Sequence, residues 1–65
     1  MTAERVGRKE WKALKVGEMA IFTLPSELAK ENARVAAQDV QRLYGYSLER
    51  VKVAEPCTIA FRRVG

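Results

Sequence analysis

Trp11-Lys12-Ala13-Leu14-Lys15-Val16-Gly17-Glu18-Met19-Ala20-Ile21-Phe22-Thr23-Leu24 is the stretch on which the reading of the fold turns. Apolar residues lie on both sides of Gly17-Glu18 with a rough period of two, which marks half-buried strands. The pattern predicts a first strand over Trp11–Val16 and a second over Met19–Leu24. A glycine opening a two-residue loop permits the hairpin turn that would join them. The register decides which face is core, since a one-residue slip exchanges the faces. A strict two-residue loop groups Leu14, Val16, Met19 and Ile21. One extra loop residue groups Leu14, Val16, Ala20, Phe22 and Leu24, the larger apolar set and the expected one, with Trp11 and Ile21 or Met19 on the opposite face.

Pro25-Ser26 closes the second strand, because proline donates nothing to a sheet ladder and serine is a favoured helix N-cap. From Glu27 to about Tyr44, residues Leu28, Ala29, Ala33, Ala36, Val40, Leu43 and Tyr44 fall on one helical arc, with Val35 at its flank. Glu27, Lys30, Glu31, Arg34, Gln38, Gln41 and Arg42 fall on the other, which is the pattern of an amphipathic helix. Gly45 follows as a left-handed C-cap. Leu48–Ala54 and Thr58–Val64 then read as a last hairpin across Glu55-Pro56-Cys57, pairing Val53 with Ile59 and Val51 with Phe61. The expected architecture is α+β, hairpin–helix–hairpin (ββαββ): a four-stranded, mainly antiparallel sheet with one helix packed on one face. Residues 1–10 read as a flexible basic arm and residues 11–65 as a single domain.

A chain of 65 residues is one domain, and one this size buries only about 60% of the surface its unfolded form exposes. The composition holds no histidine and one cysteine, Cys57, which leaves no intramolecular disulfide, no ordinary zinc site and no histidine acid–base chemistry. The four glycines stand at 7, 17, 45 and 65, so no phosphate-cradling loop is present. Ser26 and Ser47 have no neighbouring base, and Cys57 lies in a turn with no activating partner in sequence. No catalytic residue, cofactor or metal is expected, and the protein reads as a binding module rather than an enzyme. The longest apolar run, Met19–Leu24, is six residues, against about 20 for a membrane span. With no secretory pattern at the start, a cytoplasmic setting without membrane contact is expected.

The net charge is +4, and basic residues gather at the two ends: five basic against two acidic over residues 1–15, three against four over 16–44, four against two over 45–65. Positive surface attracts phosphate backbones. In the expected register Arg50 faces Arg62 and Lys52 faces Ala60 on the uncovered side of the sheet, with Lys15 and Trp11 joining from the first hairpin. Like charges directly opposed are unfavourable unless an anion lies between them. Basic side chains interleaved with an aromatic ring suit nucleic acid, where the ring stacks on bases. The candidate contacts are therefore Arg5, Arg8 and Lys9 of the arm with Trp11, Lys15, Arg50, Lys52 and Arg62, and DNA is preferred to RNA. Arg63 falls on the opposite parity, where Glu49 is an expected partner. The same basic chains also serve simply to solvate an open sheet face.

A second reading uses other residues. Trp11, Ile21, Leu48 and Val64 would share the uncovered face and form an apolar seam for a protein partner or a second copy.

The segment Leu14-Lys15-Val16-Gly17-Glu18, then Phe22, a helix, and a basic last strand ending Phe61-Arg62-Arg63 resembles a loose pattern in short, mostly uncharacterised proteins of bacteriophages and mobile genetic elements. The resemblance covers most of residues 11–65 and implies a mobile-DNA or host–parasite context. It carries over no functional residue.

Overall fold

The computed structural model describes residues 4–65. Five elements follow in order: α1 (Arg8–Lys12), β1 (Met19–Thr23), α2 (Glu27–Tyr44), β2 (Leu48–Val51) and β3 (Thr58–Arg63). The strands form one antiparallel sheet in the order β1-β3-β2, so β3 is central and the two others are edges.

This corrects the expected ββαββ arrangement with four strands. Trp11–Val16 is not a strand; its first residues belong to α1. Gly7 stands at the N-cap, and its N–H donates to the Glu10 carboxylate at 2.7 Å, starting the turn. A helix of five residues has little stability of its own. Burial of Trp11, which is 0% exposed, holds it in place. The indole N–H donates to the Ala33 carbonyl of α2 at 2.9 Å, and the ring meets Phe22 and Phe61 edge-on at centroid distances of 5.2 and 5.1 Å. α1 also crosses the boundary expected at residue 11, and Val6 before it is buried in the core. The remainder of the expected arm, residues 1–3, lies outside the described residues.

β1 then pairs with β3 instead of the segment before it. Gly17, at φ +90°, still supplies the sharp turn, but the turn delivers the chain from α1 to β1. Arg63 closes the gap from the far end of the chain. Its guanidinium donates to the Leu14 carbonyl at 3.0 Å and lies 3.6 Å over the Tyr46 ring. Tyr46 in turn donates to the Lys12 carbonyl at 2.9 Å.

α2 forms where its caps and periodicity place it. The Ser26 hydroxyl accepts from the Ala29 N–H at 3.1 Å, and Gly45 at φ +70° ends the helix with its N–H on the Gln41 carbonyl. Ala33, Ala36, Ala37 and Val40 are the buried residues of this helix, and their small side chains bring it close to Trp11 and the sheet. Leu28, Leu43 and Tyr44, expected on the buried arc, are exposed.

The last two strands pair one residue away from expectation: Val51 faces Ala60, Arg50 faces Phe61, Glu49 faces Arg62 and Leu48 faces Arg63. The connection runs over residues 52–57 and contains Cys57 at φ +55°, a longer link than the hairpin turn read from the sequence. The slip turns Leu48 into the core and sends Val51 to the other side. The core side of the sheet thus carries Phe22, Ile59, Phe61 and Leu48 under α1 and α2. The uncovered side carries Met19, Ile21, Thr23, Thr58, Ala60, Arg62, Glu49 and Val51. Among the described residues, no helix is long and apolar enough to cross a membrane.

Candidate nucleic-acid interface

The one-residue slip of β2 also relocates the expected binding residues. Arg50, opposite Phe61, projects on the helix side of the sheet at its β2 edge, whereas Arg62 remains on the uncovered side between Met19 and Glu49. The expected Arg50–Arg62 opposition therefore does not exist, and Lys52 lies beyond the end of β2 instead of facing Ala60. Glu49 is the residue across from Arg62, and Arg63 bonds Leu14 in place of the expected Glu49. Trp11 is enclosed and cannot stack on a base. Leu48 is likewise removed from the uncovered face.

What the fold assembles instead is a basic cleft between the N-terminal half of α2 and the β2 edge. Lys30, Arg50, Lys52, Val51, Val53, Thr58 and Ile59 line it. Ser26 fixes the start of α2, and Lys30 follows one turn later, with its backbone N–H on the Ser26 carbonyl. Pairing with Phe61 fixes Arg50, and Lys52 follows two residues on. Three cations, one from α2, one from β2 and one from the link that follows it, thus line one opening.

Glu27 and Glu31 share an adjoining depression with Lys30 and Arg50, which tempers the charge there, and each has a further partner of its own. Arg34 holds Glu31 in a two-pronged ion pair, with Nε at 3.1 Å from each carboxylate oxygen. Glu31 has its pKa lowered chiefly by those hydrogen bonds; partial burial opposes them, and the charges of Arg34, Arg50 and Lys30 add to the lowering. The carboxylate thus senses the positive field of the cleft. Glu27 accepts from the Cys57 thiol at 3.4 Å. Burial raises the thiol pKa most, the bond and charge of Glu27 raise it further, and Lys30 opposes them. Among the described residues, Lys30, Arg50 and Lys52 form no ion pair within bonding distance.

The other expected contacts fall into separate places. Arg5, Arg8 and Lys9 gather at the start of α1 around a shallow surface shared with Gly7 and Glu10. Arg5 and Arg8 also border a depression containing Glu4 and Asp39, which tempers their charge. Lys15 stands exposed in the turn before β1, where its backbone N–H donates to Glu18 at 2.7 Å. The structure brings Arg50 and Lys52 together, groups Arg5 with Arg8 and Lys9, and leaves Lys15 and Arg62 apart. Lys30 is not legible as a site residue in the sequence, where its position falls on the solvent arc of the helix; only the placement of α2 against the β2 end of the sheet shows what it faces.

Among the described residues, no cluster of His, Cys, Asp and Glu side chains is arranged to hold a metal ion. No family model, curated protein or solved structure matches the chain.

Proposed function

We propose that this protein is a small, non-enzymatic nucleic-acid-binding factor that contacts phosphates through Lys30, Arg50 and Lys52. The observation that carries the reading is that these side chains line one cleft and that none of them forms an ion pair among the described residues. Lysine and arginine so placed neutralise backbone phosphates, and each contact releases a condensed counterion. Arg5, Arg8 and Lys9 supply a second basic corner for a longer strand. The overall charge of +4 and the resemblance to short phage and mobile-element proteins point the same way. DNA in a cytoplasmic setting is the preferred ligand, bound through its backbone, since the only tryptophan is buried in the core.

The test is a titration with labelled single-stranded and duplex DNA, and matching RNA, followed by anisotropy at several salt concentrations. The variant is Lys30→Ala with Arg50→Ala and Lys52→Ala. Losing these contacts should flatten the slope of log K against log salt by about 0.9 per lost contact on duplex DNA and about 0.7 on a single strand. An unchanged slope in a folded variant rejects the cleft. An absence of salt-sensitive binding by the parent protein rejects the function.

A further inference from the structure

We propose that β1 is an assembly edge at which a second copy of this chain adds its own β1, antiparallel and centred on Ile21. The inference uses a different surface from the basic cleft and stands whether or not the cleft binds nucleic acid.

The backbone groups of β1 divide between the sheet and the outside. Leu24 N–H donates to the Cys57 carbonyl at 2.8 Å, and Arg63 N–H donates to the Glu18 carbonyl at 2.9 Å. In an antiparallel pair, hydrogen-bonded residues alternate with residues whose N–H and C=O point away. Glu18, Ala20, Phe22 and Leu24 therefore face β3, while the N–H and C=O of Met19, Ile21 and Thr23 point outward from the sheet. Among the described residues these outward groups have no protein partner.

The opposite edge is treated differently. The same alternation, fixed there by Val64 N–H on the Ser47 carbonyl, turns Leu48 and Arg50 outward on β2. Leu48 N–H is already occupied by the Gln41 side chain at 3.2 Å, and charged Glu49 and Arg50 lie in the middle of the strand. Two copies paired through β2 would set Glu49 against Glu49 or Arg50 against Arg50, depending on register. Charges and side-chain caps are the usual protection of an edge. β1 reads Met-Ala-Ile-Phe-Thr and has neither.

The sequence of β1 also selects one register. With Ile21 opposite Ile21 of the second copy, Met19 faces Thr23 and Thr23 faces Met19, and every outward group finds a partner. Sliding by two residues either way leaves part of each strand unpaired, because Pro25 has no N–H on one side and the Gly17 turn bends away on the other. Met19, Ile21 and Thr23 lie on the uncovered face, where Met19 and Ile21 are 49% and 36% exposed. Pairing would place these uncharged side chains beside their counterparts across the seam. The result is one continuous sheet in the order β2-β3-β1-β1-β3-β2.

The mass of the full chain, measured by sedimentation from micromolar to millimolar concentration, should rise from monomer to dimer. Ile21→Lys, which sets like charges against each other on the seam, should remain monomeric throughout with an unchanged circular dichroism spectrum. Amide exchange of the parent protein gives a readout that needs no variant: the N–H groups of Met19, Ile21 and Thr23 should gain protection as the dimer fills. A parent that stays monomeric over the whole range overturns the proposal. So does a dimer in which those amides still exchange freely, or one that a folded Ile21→Lys variant retains. Capture of an unrelated strand, with no self-association, also overturns it in favour of a different occupant.

Discussion

Replacing Trp11 with phenylalanine tests how the two helices are held to the sheet. The indole is fully enclosed, touches Phe22 and Phe61 edge-on, and bonds the Ala33 carbonyl. Phenylalanine lacks about two of its ring carbons, each worth roughly 0.8 kcal/mol when buried. Loss of the hydrogen bond adds about 0.5–1.5 kcal/mol. The expected destabilisation is thus about 2–3 kcal/mol. For a chain of 65 residues, total stability at roughly 0.05–0.15 kcal/mol per residue is about 3–10 kcal/mol. The variant should therefore fold with little reserve. Its Tm should fall by roughly 10–20 °C, at about 4–8 °C per kcal/mol for a domain this small. Urea unfolding followed by far-ultraviolet circular dichroism reads the change, and the parent's tryptophan emission should move to longer wavelength only through the same transition. A loss below about 0.5 kcal/mol, the scale of an ordinary surface substitution, or solvent-exposed emission from the native parent, would refute the reasoning that α1 is anchored by this ring.

Other outcomes follow from smaller features. Ser26→Ala removes the acceptor for the Ala29 N–H and should cost about 1 kcal/mol in urea unfolding. Cys57, with its pKa raised by burial and by Glu27, should stay protonated at neutral pH and react with iodoacetamide more slowly than free cysteine; Glu27→Gln should quicken that reaction. The cleft variant and the Ile21→Lys variant complete the set, with binding slope and mass as their measurements.

The sequence shows α2 clearly, because its evidence is local. Ser26, Gly45 and the spacing of the alanines each act within a turn or two of where they stand. The first hairpin is misread for the opposite reason. Leu14 and Val16, continued by Ala20, Phe22 and Leu24, alternate well enough to suggest paired strands, and Gly17 does supply a turn. The competing signals are Gly7 with Glu10 three residues later, a helix start in only five residues, and a tryptophan whose partners lie in α2, β1 and β3. No local rule reports those partners. The last hairpin shows how much hangs on one residue: both strands are found, but a link that begins before Glu55 exchanges the faces of β2. That exchange separates Arg50 from Arg62 and delivers Arg50 to Lys30. The basic character was therefore legible, while the surface that carries it depended on a register set by the burial of Leu48.

The position of β3 has a consequence for how the chain comes off the ribosome. This strand is last in sequence yet lies between the other two, so neither β1 nor β2 has a neighbour to join until residues 58–63 have emerged. The sheet then closes late: β2 and β3 meet as a local hairpin, while β1 must reach β3 from the far side of α2, a distant pairing of the kind that forms slowly. Until it closes, the alanine face of α2 lacks the sheet that completes its packing. In that state the apolar segment Met19–Thr23 is unpaired on both sides, and crowding of neighbouring nascent chains would favour its capture by another copy before each molecule has completed itself.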